Sequence, residues 1–419
     1  MKRGGMLFVV FLLGVFCLAV WAEDGGYVGS QSCKKCHPKI YRGWRSTLHP
    51  YKFQDVRPQA VVGDFEKNNT LRLKDKTIKL LRKGDQFFCT IIGADGKKKT
   101  YQIKYLIGEF WKQLYVTEFP NGELHILPAM WIVAEKKWAY TKYWPDTVYQ
   151  YSCAGCHNTG VRVEYDEAQK KFSVSWHEKG VGCEACHGPG RKHIEAVSRG
   201  GDPYEGIVNP ARIPDVRLAA MVCGACHIRG QTVISPPKDP EAKVTFAYPV
   251  NYSPGDHLDF VFNERPKLHP DDSSKANRQQ YIDWKKSGHA QAGVLCWDCH
   301  DTHHKGQANR YQTKLPGNAL CRRCHQVKDK GVHGIHSVNN CIGCHMPPTG
   351  KRAVKGDVHS HRFKVISPEV SLKFKDQPNS CNLCHYHQKD DPRELYLILK
   401  GVKNSRRSQL MRPPASGKD

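Results

Sequence analysis

Cysteine and histidine recur in this chain with one fixed spacing. Two thiols three residues apart, with an imidazole directly after the second, can attach a c-type haem through two thioethers and supply its proximal iron ligand. The pattern occurs eight times, so the sequence predicts eight covalently bound haem c groups. Its copies are Cys33-Cys36-His37, Cys153-Cys156-His157, Cys183-Cys186-His187, Cys223-Cys226-His227, Cys296-Cys299-His300, Cys321-Cys324-His325, Cys341-Cys344-His345 and Cys381-Cys384-His385.

Other sites also use paired cysteines. Zinc sites and dithiol redox motifs share the Cys-x-x-Cys spacing, but neither requires a histidine after every second cysteine. Histidine makes up 22 of the 419 residues, so eight histidines at this position are not a coincidence. The motifs use sixteen of the 18 cysteines. Of the other two, Cys17 lies in an N-terminal apolar run, and Cys89 is predicted to be a small buried apolar residue.

Each predicted haem needs a second axial ligand or keeps an open position, and histidine is the most abundant candidate. Fourteen histidines lie outside the motifs, whereas methionine is scarce and Met346 directly follows its own proximal His345. Ligation by two histidines is therefore expected for most haems, with lower reduction potentials than a histidine–methionine pair gives. The distal candidates are His49, His193, His289, His303, His333, His336 and His361.

The N-terminal residues 1–22 are typical of a signal peptide. Lys2 and Arg3 precede an apolar run at 6–20, and small residues precede Glu23. An uncleaved anchor is the alternative, although the run is short for a spanning helix. No later segment is apolar enough to span a membrane. We therefore expect an exported protein with a periplasmic, cell-surface or extracellular location, which agrees with haem attachment outside the cytoplasm.

The formal net charge of +24 would ordinarily suggest binding to nucleic acid or to an acidic membrane. Eight haems, however, would bring propionates with a total charge of roughly −16, and basic side chains would compensate them. Nucleic-acid binding is therefore not expected, and the remaining basicity could steer an acidic redox partner. Because only 39% of the residues are hydrophobic, the haems themselves must supply much of the core.

The motifs fall into two groups along the chain. We expect haems one to four within 23–230, a Pro-rich connector at 231–285, haems five to eight within 286–388, and a terminal helix with a disordered basic tail at 389–419. Segment 51–148 contains short β-type runs separated by Gly84-Asp85, Asp95-Gly96 and Asn121-Gly122. The expected fold is mostly short α-helices and irregular loops wrapped around a haem chain, with a small antiparallel β insertion at about 65–130.

Two stretches resemble a known family. Tyr27-Val28-Gly29-Ser30 before the first motif, and the string Cys-Glu-Ala-Cys-His-Gly-Pro-Gly at 183–190, resemble the tetrahaem cytochrome family that accepts electrons from hydroxylamine oxidoreductase. The stretches 296–303, 341–347 and 357–363 resemble a wider set of exported multihaem cytochromes. This chain departs from the tetrahaem family by four additional haems, which puts transfer of that family's physiological partner in doubt.

The resemblance carries expectations for individual ligands. It implies that His193 binds the haem at Cys33/Cys36 and that His49 binds the haem at Cys183/Cys186. It also implies that the haem at Cys153/Cys156 has an open sixth position. His125 and His177 are the histidines that could close this position here.

Two classes of function follow from the motifs. The first is an electron conduit, in which close-packed haems pass single electrons between donor and acceptor redox proteins or to extracellular metal oxides. The second is an octahaem reductase of a nitrogen or sulfur oxyanion, or of hydroxylamine, with one open haem. Many such reductases replace one motif histidine by lysine, whereas all eight motifs here keep histidine. The conduit is therefore favoured, and a polymer of identical subunits forming a filament is one form that it could take.

Overall fold

The computed structural model describes residues 26–235, 243–304, 311–327, 332–336 and 340–404. The predicted signal peptide at 1–22 and the predicted disordered tail beyond 404 lie outside the described residues. Within them, no helix combines the length and the apolar character needed to cross a membrane.

A β unit without any Cys-x-x-Cys-His motif separates the first two motifs. It consists of two antiparallel sheets, with strand orders β2-β3-β4-β5 and β1-β6-β7-β8-β9. Glycines with positive φ angles stand at the three turns that the sequence predicted: Gly84, Gly96 and Gly122. The strands are β1 (Gln54–Asp55), β2 (Thr70–Arg72), β3 (Lys76–Lys83), β4 (Gln86–Gly93), β5 (Lys98–Gln102), β6 (Tyr105–Ile107), β7 (Lys112–Glu118), β8 (Leu124–Ile132) and β9 (Lys137–Tyr140).

The larger sheet packs on both faces and so links the β unit to the motif region. Leu127 on β8 belongs to the core between the two sheets, which also holds Cys89 fully buried. The neighbouring Ile126 belongs to a second cluster that contains Ala154 and Cys156 of the second motif. Because successive strand residues point to opposite faces, one strand serves both cores. The β unit therefore fixes the position of the second motif.

Most motifs lie on single helical turns. Residues three apart lie on the same side of a helix, so one turn presents both thiols of a motif to one face. The helices are α1 (Ser30–Cys33), α2 (Pro38–Arg45), α3 (Tyr149–Ser152), α4 (Ala154–His157), α5 (Glu184–His187), α6 (Arg191–Ser198), α7 (Val216–His227), α8 (Gln280–Trp284), α9 (Gly288–Gln291), α10 (Cys296–Cys299), α11 (Asn318–Arg322), α12 (Val332–Ile335), α13 (Cys341–His345), α14 (Pro368–Lys373) and α15 (Pro392–Asn404).

The expectation of mostly helices and loops with one small β insertion was wrong. Helices hold 28% of the residues and strands hold 24%, in six sheets. The additional strands pair locally between the motifs, because segments with period-two apolar residues form hairpins there. They are β10 (Asn158–Thr159), β11 (Arg162–Asp166), β12 (Lys171–Ser175), β13 (Glu178–Lys179), β14 (Gly230–Ile234), β15 (Val244–Phe246), β16 (Asn263–Glu264), β17 (Gly350–Lys351) and β18 (Lys355–Val358).

A buried carboxylate joins the first and third motifs. Glu184, only 2% exposed, accepts hydrogen bonds from the backbone N–H groups of Val28 (2.9 Å), Gly29 (2.8 Å) and Gly190 (2.7 Å). Hydrogen bonds to a charged acceptor are stronger than those between neutral groups. The glutamate in the Cys-Glu-Ala-Cys-His-Gly-Pro-Gly string therefore holds the segment that leads into the first motif.

We expect Glu184→Gln to lower the stability of the folded protein by about 1–3 kcal/mol, because the amide NH₂ would face an N–H group that the carboxylate now accepts. Thermal unfolding of the haem-loaded protein, followed by circular dichroism, measures this change. Glu195→Gln is the matched control, since Glu195 is exposed on the nearby α6. Equal melting temperatures for the two variants would contradict the anchoring role.

Candidate haem sites

One connected cavity of about 3350 Å³ runs through the described part of the protein. All sixteen motif cysteines border it, as do all seven motif histidines whose side chains the structure describes. Protein interiors are otherwise close-packed with few voids. A space of this size, bordered by every motif thiol, fits large planar groups tethered to those thiols. We number the haem sites one to eight after their motifs.

Histidine rings face each other across this cavity in pairs. Two imidazoles bound to one iron through nitrogen, at roughly 2.0 Å each, have ring centres about 6 Å apart. Rotation of a ring about its iron–nitrogen bond changes the angle between the ring planes and leaves this distance unchanged. The observed pairs are His37 and His193 (6.5 Å, 18°), His187 and His303 (6.0 Å, 13°), His300 and His361 (6.2 Å, 21°), His333 and His345 (6.2 Å, 25°), His289 and His325 (5.9 Å, 89°), and His336 and His387 (5.7 Å, 46°).

Site three differs from the expectation that the family resemblance gave. The ring that faces His187 belongs to His303, which comes from the second motif group. His49 is buried next to Lys52, and His227 is the histidine that acts on it most strongly. The structure therefore brings His49 towards site four. At site one, His193 faces His37, and the ligation of this haem by His193 that the resemblance implies stays a prediction.

Burial keeps several of these imidazoles neutral, which is the form that binds iron. Desolvation is the largest cause in each case, and it lowers the pKa of His49 and of His361 to about 3 and that of His227 to about 4. The neighbouring cation Lys52 lowers the pKa of His49 further, and Arg352 does the same to His227.

Site eight is described in part. His336 faces His387, and the Nδ1 atom of His387 lies 2.8 Å from a carboxylate oxygen of Asp390. The side chain of the motif histidine, His385, lies outside the described residues. His387 lies on the 3₁₀ turn His385–His387, which follows Cys384. Because His336 faces His387, His336 lies beside the eighth motif.

Site two has a different environment. The aromatic ring paired with His157 is that of Tyr149, at 6.4 Å and 66°, and no histidine ring pairs with His157 among the described side chains. His125 lies instead against Phe119, with Nδ1 2.9 Å from the Pro145 carbonyl oxygen. His177 stacks on Tyr27. Neither histidine that the sequence offered for closing this position stands opposite His157.

Three basic side chains, and no second histidine among the described side chains, lie near His157 at site two. Burial lowers the pKa of His157 to about 3, and Lys52, Arg278 and Lys112 are the charges that lower it further. Burial also lowers the pKa of Lys52 to about 8 and lowers that of Lys112. Arg278 also acts electrostatically on both thiols of this motif, Cys153 and Cys156. The sequence analysis missed these three residues, because nothing in their local spacing connects them with the second motif.

Thiols of different motifs lie near one another, which gives the order of the sites in space. The four pairs that interact most strongly are Cys33 with Cys183, Cys156 with Cys226, Cys223 with Cys296, and Cys321 with Cys341. Electrostatic neighbours without a hydrogen bond are Cys186 with Cys226, Cys299 with Cys324, and Cys344 with Cys384. These pairs connect sites one, three, four, five, six, seven and eight in series. Cys156 and Cys226 connect site two to site four.

The chain is similar to known cytochromes and reductases over parts of its length. The family model "Cytochrome c554 and c-prime" matches residues 132–188. The chain is 25% identical over 197 residues to the cytochrome c nitrite reductase subunit NrfA of Nitratidesulfovibrio vulgaris, covering 39% of this chain and 36% of that protein. It is 21% identical over 371 residues to the dissimilatory sulfite reductase MccA of Wolinella succinogenes, covering 77% and 50%. The chain thus spans about a third to a half of the length of these curated relatives.

Among solved structures, the Outer Cell Wall Cytochrome OcwA has a similar fold. The TM-score is 0.65 with 23% identity, over 89% of this chain and 86% of that chain. An undecahaem cytochrome from the S-layer of Carboxydothermus ferrireducens aligns with a TM-score of 0.48 and 17% identity, over 92% and 63%. The family match and the fold shared with OcwA, together with the eight Cys-x-x-Cys-His motifs whose cysteines border one cavity, identify the chain as a multihaem c-type cytochrome.

Proposed function

We propose that this chain is an octahaem c-type cytochrome that conducts electrons outside the cytoplasm. The observation that carries the proposal is that the cysteines of all eight motifs border one connected cavity, with thiols of different motifs near one another. A haem supplies a one-electron iron couple, and the protein supplies the spacing, the ligands and the electrostatic environment. Haems attached to neighbouring thiols would lie close together, which would keep every electron-transfer step short.

The proposed ligation follows the facing histidines at five sites, and it assigns His49 and His336 to sites four and eight because these histidines lie near those motifs. Two histidines hold the iron at seven sites, and such ligation gives low reduction potentials. Site two keeps His157 and an open position. The pairs are His37 with His193, His187 with His303, His227 with His49, His300 with His361, His325 with His289, His345 with His333, and His385 with His336. His303 then ties the second motif group to a haem of the first.

The proposed location is the periplasm, the cell surface or the extracellular space. The signal-peptide pattern at 1–22 supports export. The fold shared with a cytochrome whose name places it in the outer cell wall is consistent with a cell-surface position. The proposed partners are redox proteins that donate and accept electrons. Extracellular metal oxides as terminal acceptors, and filaments of this chain, stay predictions.

The haem count and spin states test the proposal. The intact mass of the purified protein should exceed that of the polypeptide by eight haems. Magnetic circular dichroism should show seven low-spin haems and one high-spin haem, because one iron lacks a second histidine. Two or more high-spin haems, or none, would contradict the proposed ligation.

A single substitution distinguishes His303 from His49 at site three. We expect His303→Ala to convert one additional haem to a high-spin form, because His303 faces His187 at 6.0 Å. His257→Ala is the matched control, since His257 is exposed and its ring packs beside the exposed Phe260. If His303→Ala keeps the spectrum of the unaltered protein, His303 is not the ligand, and the family's assignment of His49 to site three is favoured.

A reductase of a nitrogen or sulfur oxyanion, or of hydroxylamine, is the second candidate function. Site two favours it, because His157 has no facing histidine in the described region and three basic side chains surround it. Sequence similarity to a sulfite reductase over 371 residues supports the same candidate. Such cations would attract an oxyanion to the open iron.

Binding and turnover separate the two candidates. Carbon monoxide should bind the reduced protein at one molecule per chain, because one site is open. If the protein is only a conduit, carbon monoxide still binds, but nitrite, sulfite and hydroxylamine should not sustain oxidation of a chemical electron donor. Steady consumption of one of these substrates, abolished by Arg278→Gln and kept by Lys79→Gln, would establish the reductase instead. Lys79 is exposed on β3 in the sheet farther from the motifs.

A further inference from the structure

The helix α8 lies between the fourth and fifth motifs along the chain. It falls within the segment 231–285, for which the sequence predicted a Pro-rich connector. Its residues Tyr281 and Trp284 are buried in one apolar cluster with Met221 of α7, the helix that carries the fourth motif. A Cβ atom on Gly224 would lie 3.0 Å from the ring of Tyr281, so this ring packs against the motif itself. The connector therefore contributes an ordered element at the junction of the two motif groups.

Side chains of α8 form polar contacts with both motif groups. The Nε1 atom of Trp284 donates to the Val294 carbonyl oxygen at 2.9 Å, two residues before Cys296 of the fifth motif. The Oε1 atom of Gln280 lies 3.4 Å from the Nδ1 atom of His227, the histidine of the fourth motif. One short helix thus contacts the segments that carry sites four and five.

A third side chain of α8, Asp283, reaches the segment that carries His361. Its carboxylate is buried, with 2% of the residue exposed. The Oδ1 atom accepts the Ser274 hydroxyl at 2.6 Å, and the Oδ2 atom accepts the Ser360 hydroxyl at 2.8 Å and the His361 backbone N–H at 3.0 Å. Both serines are buried as well. Because a carboxylate accepts hydrogen bonds more strongly than a neutral oxygen does, Asp283 holds residues 360 and 361 firmly in place.

The imidazole of His361 is oriented by a hydrogen bond of its own. Its Nδ1 atom lies 3.0 Å from the His359 carbonyl oxygen, so Nδ1–H donates there and Nε2 is left as the nitrogen that can bind iron. The facing ring of His300, at 6.2 Å, is oriented in the same way, with Nδ1 2.9 Å from the Tyr311 carbonyl oxygen. Both imidazoles of site five thus have a defined tautomer.

The backbone around His361 has no regular secondary structure to hold it. Residues 359–367, between β18 and α14, form neither helix nor strand. At sites one and six, by contrast, the facing histidines His193 and His289 lie on the helices α6 and α9. The backbone of His361 must therefore be fixed by contacts with other parts of the chain, and Asp283 accepts the N–H group of His361 itself.

We propose that Asp283 is a positioning residue that holds His361 as the second axial ligand of the haem at site five. The carboxylate fixes the backbone of His361, and the His359 carbonyl oxygen fixes the orientation of its ring. Because α8 also packs against the fourth motif, the same helix ties the ligand of site five to site four. The inference rests on the proposed function, since it requires ligation of site five by His300 and His361.

Magnetic circular dichroism of the complete haem-loaded protein tests this role. Asp283→Ala should show six low-spin haems where the unaltered protein shows seven, because the His361 N–H group loses its acceptor and the imidazole leaves the iron more readily. Asp283→Asn should keep seven. Its amide oxygen can still accept the His361 N–H group, and its amide NH₂ can donate to the Ser274 hydroxyl oxygen.

Two further variants identify the haem that changes. His361→Ala should also show six low-spin haems, and its combination with Asp283→Ala should show no further loss, because both changes act on the same ligand. Asp259→Ala is the matched control and should keep seven, since Asp259 is exposed and pairs with Arg217 at the surface. Variants are compared after intact mass confirms the full haem complement, and Asp283→Ser takes the place of Asp283→Ala where that variant loses haem.

The outcomes separate the inference from the proposed function. Seven low-spin haems in Asp283→Ala beside six in His361→Ala, or five in the double variant, overturn the inference and leave the proposed ligation of site five intact. Seven low-spin haems in His361→Ala overturn that ligation and the inference with it. A loss that Asp283→Ala shares with His361→Ala, and that Asp283→Asn avoids, supports both.

Discussion

The covalent tether between paired cysteines and a haem is the constraint on which the rest of this structure depends. Most motifs place two thiols on one side of a helical turn with the motif histidine directly after the second. The cysteines of all eight motifs must be held around one continuous space rather than around a side-chain core. This explains why the helices at the motifs are short. It also explains why the large apolar clusters lie in the β unit and in the segments that support the second and fourth motifs.

The sequence predicted the features that depend on neighbouring residues. The motif cysteines and histidines, the three hairpin turns of the β unit and the burial of Cys89 all follow from short spacings or from residue type. Burial raises the pKa of the Cys89 thiol to about 12, which fits an inert apolar residue. The overall balance of helix and strand was not predicted, because hairpins such as β11 with β12 were attributed to loops between haems.

Features that depend on residues far apart in the sequence could not be predicted from it. Nothing local distinguishes His303 from His49 as the partner of His187, because the choice depends on how the second motif group docks on the first. Gly43 illustrates this docking: a Cβ atom there would lie 2.0 Å from the carbonyl oxygen of His303, so only glycine allows the two segments to approach. The cations at site two come from positions 52, 112 and 278, which only the fold brings together.

Charge and connectivity together suggest how the molecule works. Glu178 and Glu184 stabilise the entry segment of site one and make its surroundings acidic. Arg278 and Lys52 act on both site two and site four, which makes the surroundings of these two sites basic. Stability and function share the same groups here, because the carboxylate that anchors the first motif also contributes to its electrostatics.

Locating the irons in the haem-loaded protein tests the central claim most directly. Anomalous scattering at the iron absorption edge should show eight iron positions per chain. Seven of them should form one series, and the iron of site two should lie beside that of site four. The electron density should show two imidazoles at seven irons, with His303 at site three, and no second histidine at the iron bound by His157. A different number of irons, a histidine opposite His157, or irons that do not form this branched series would contradict the account.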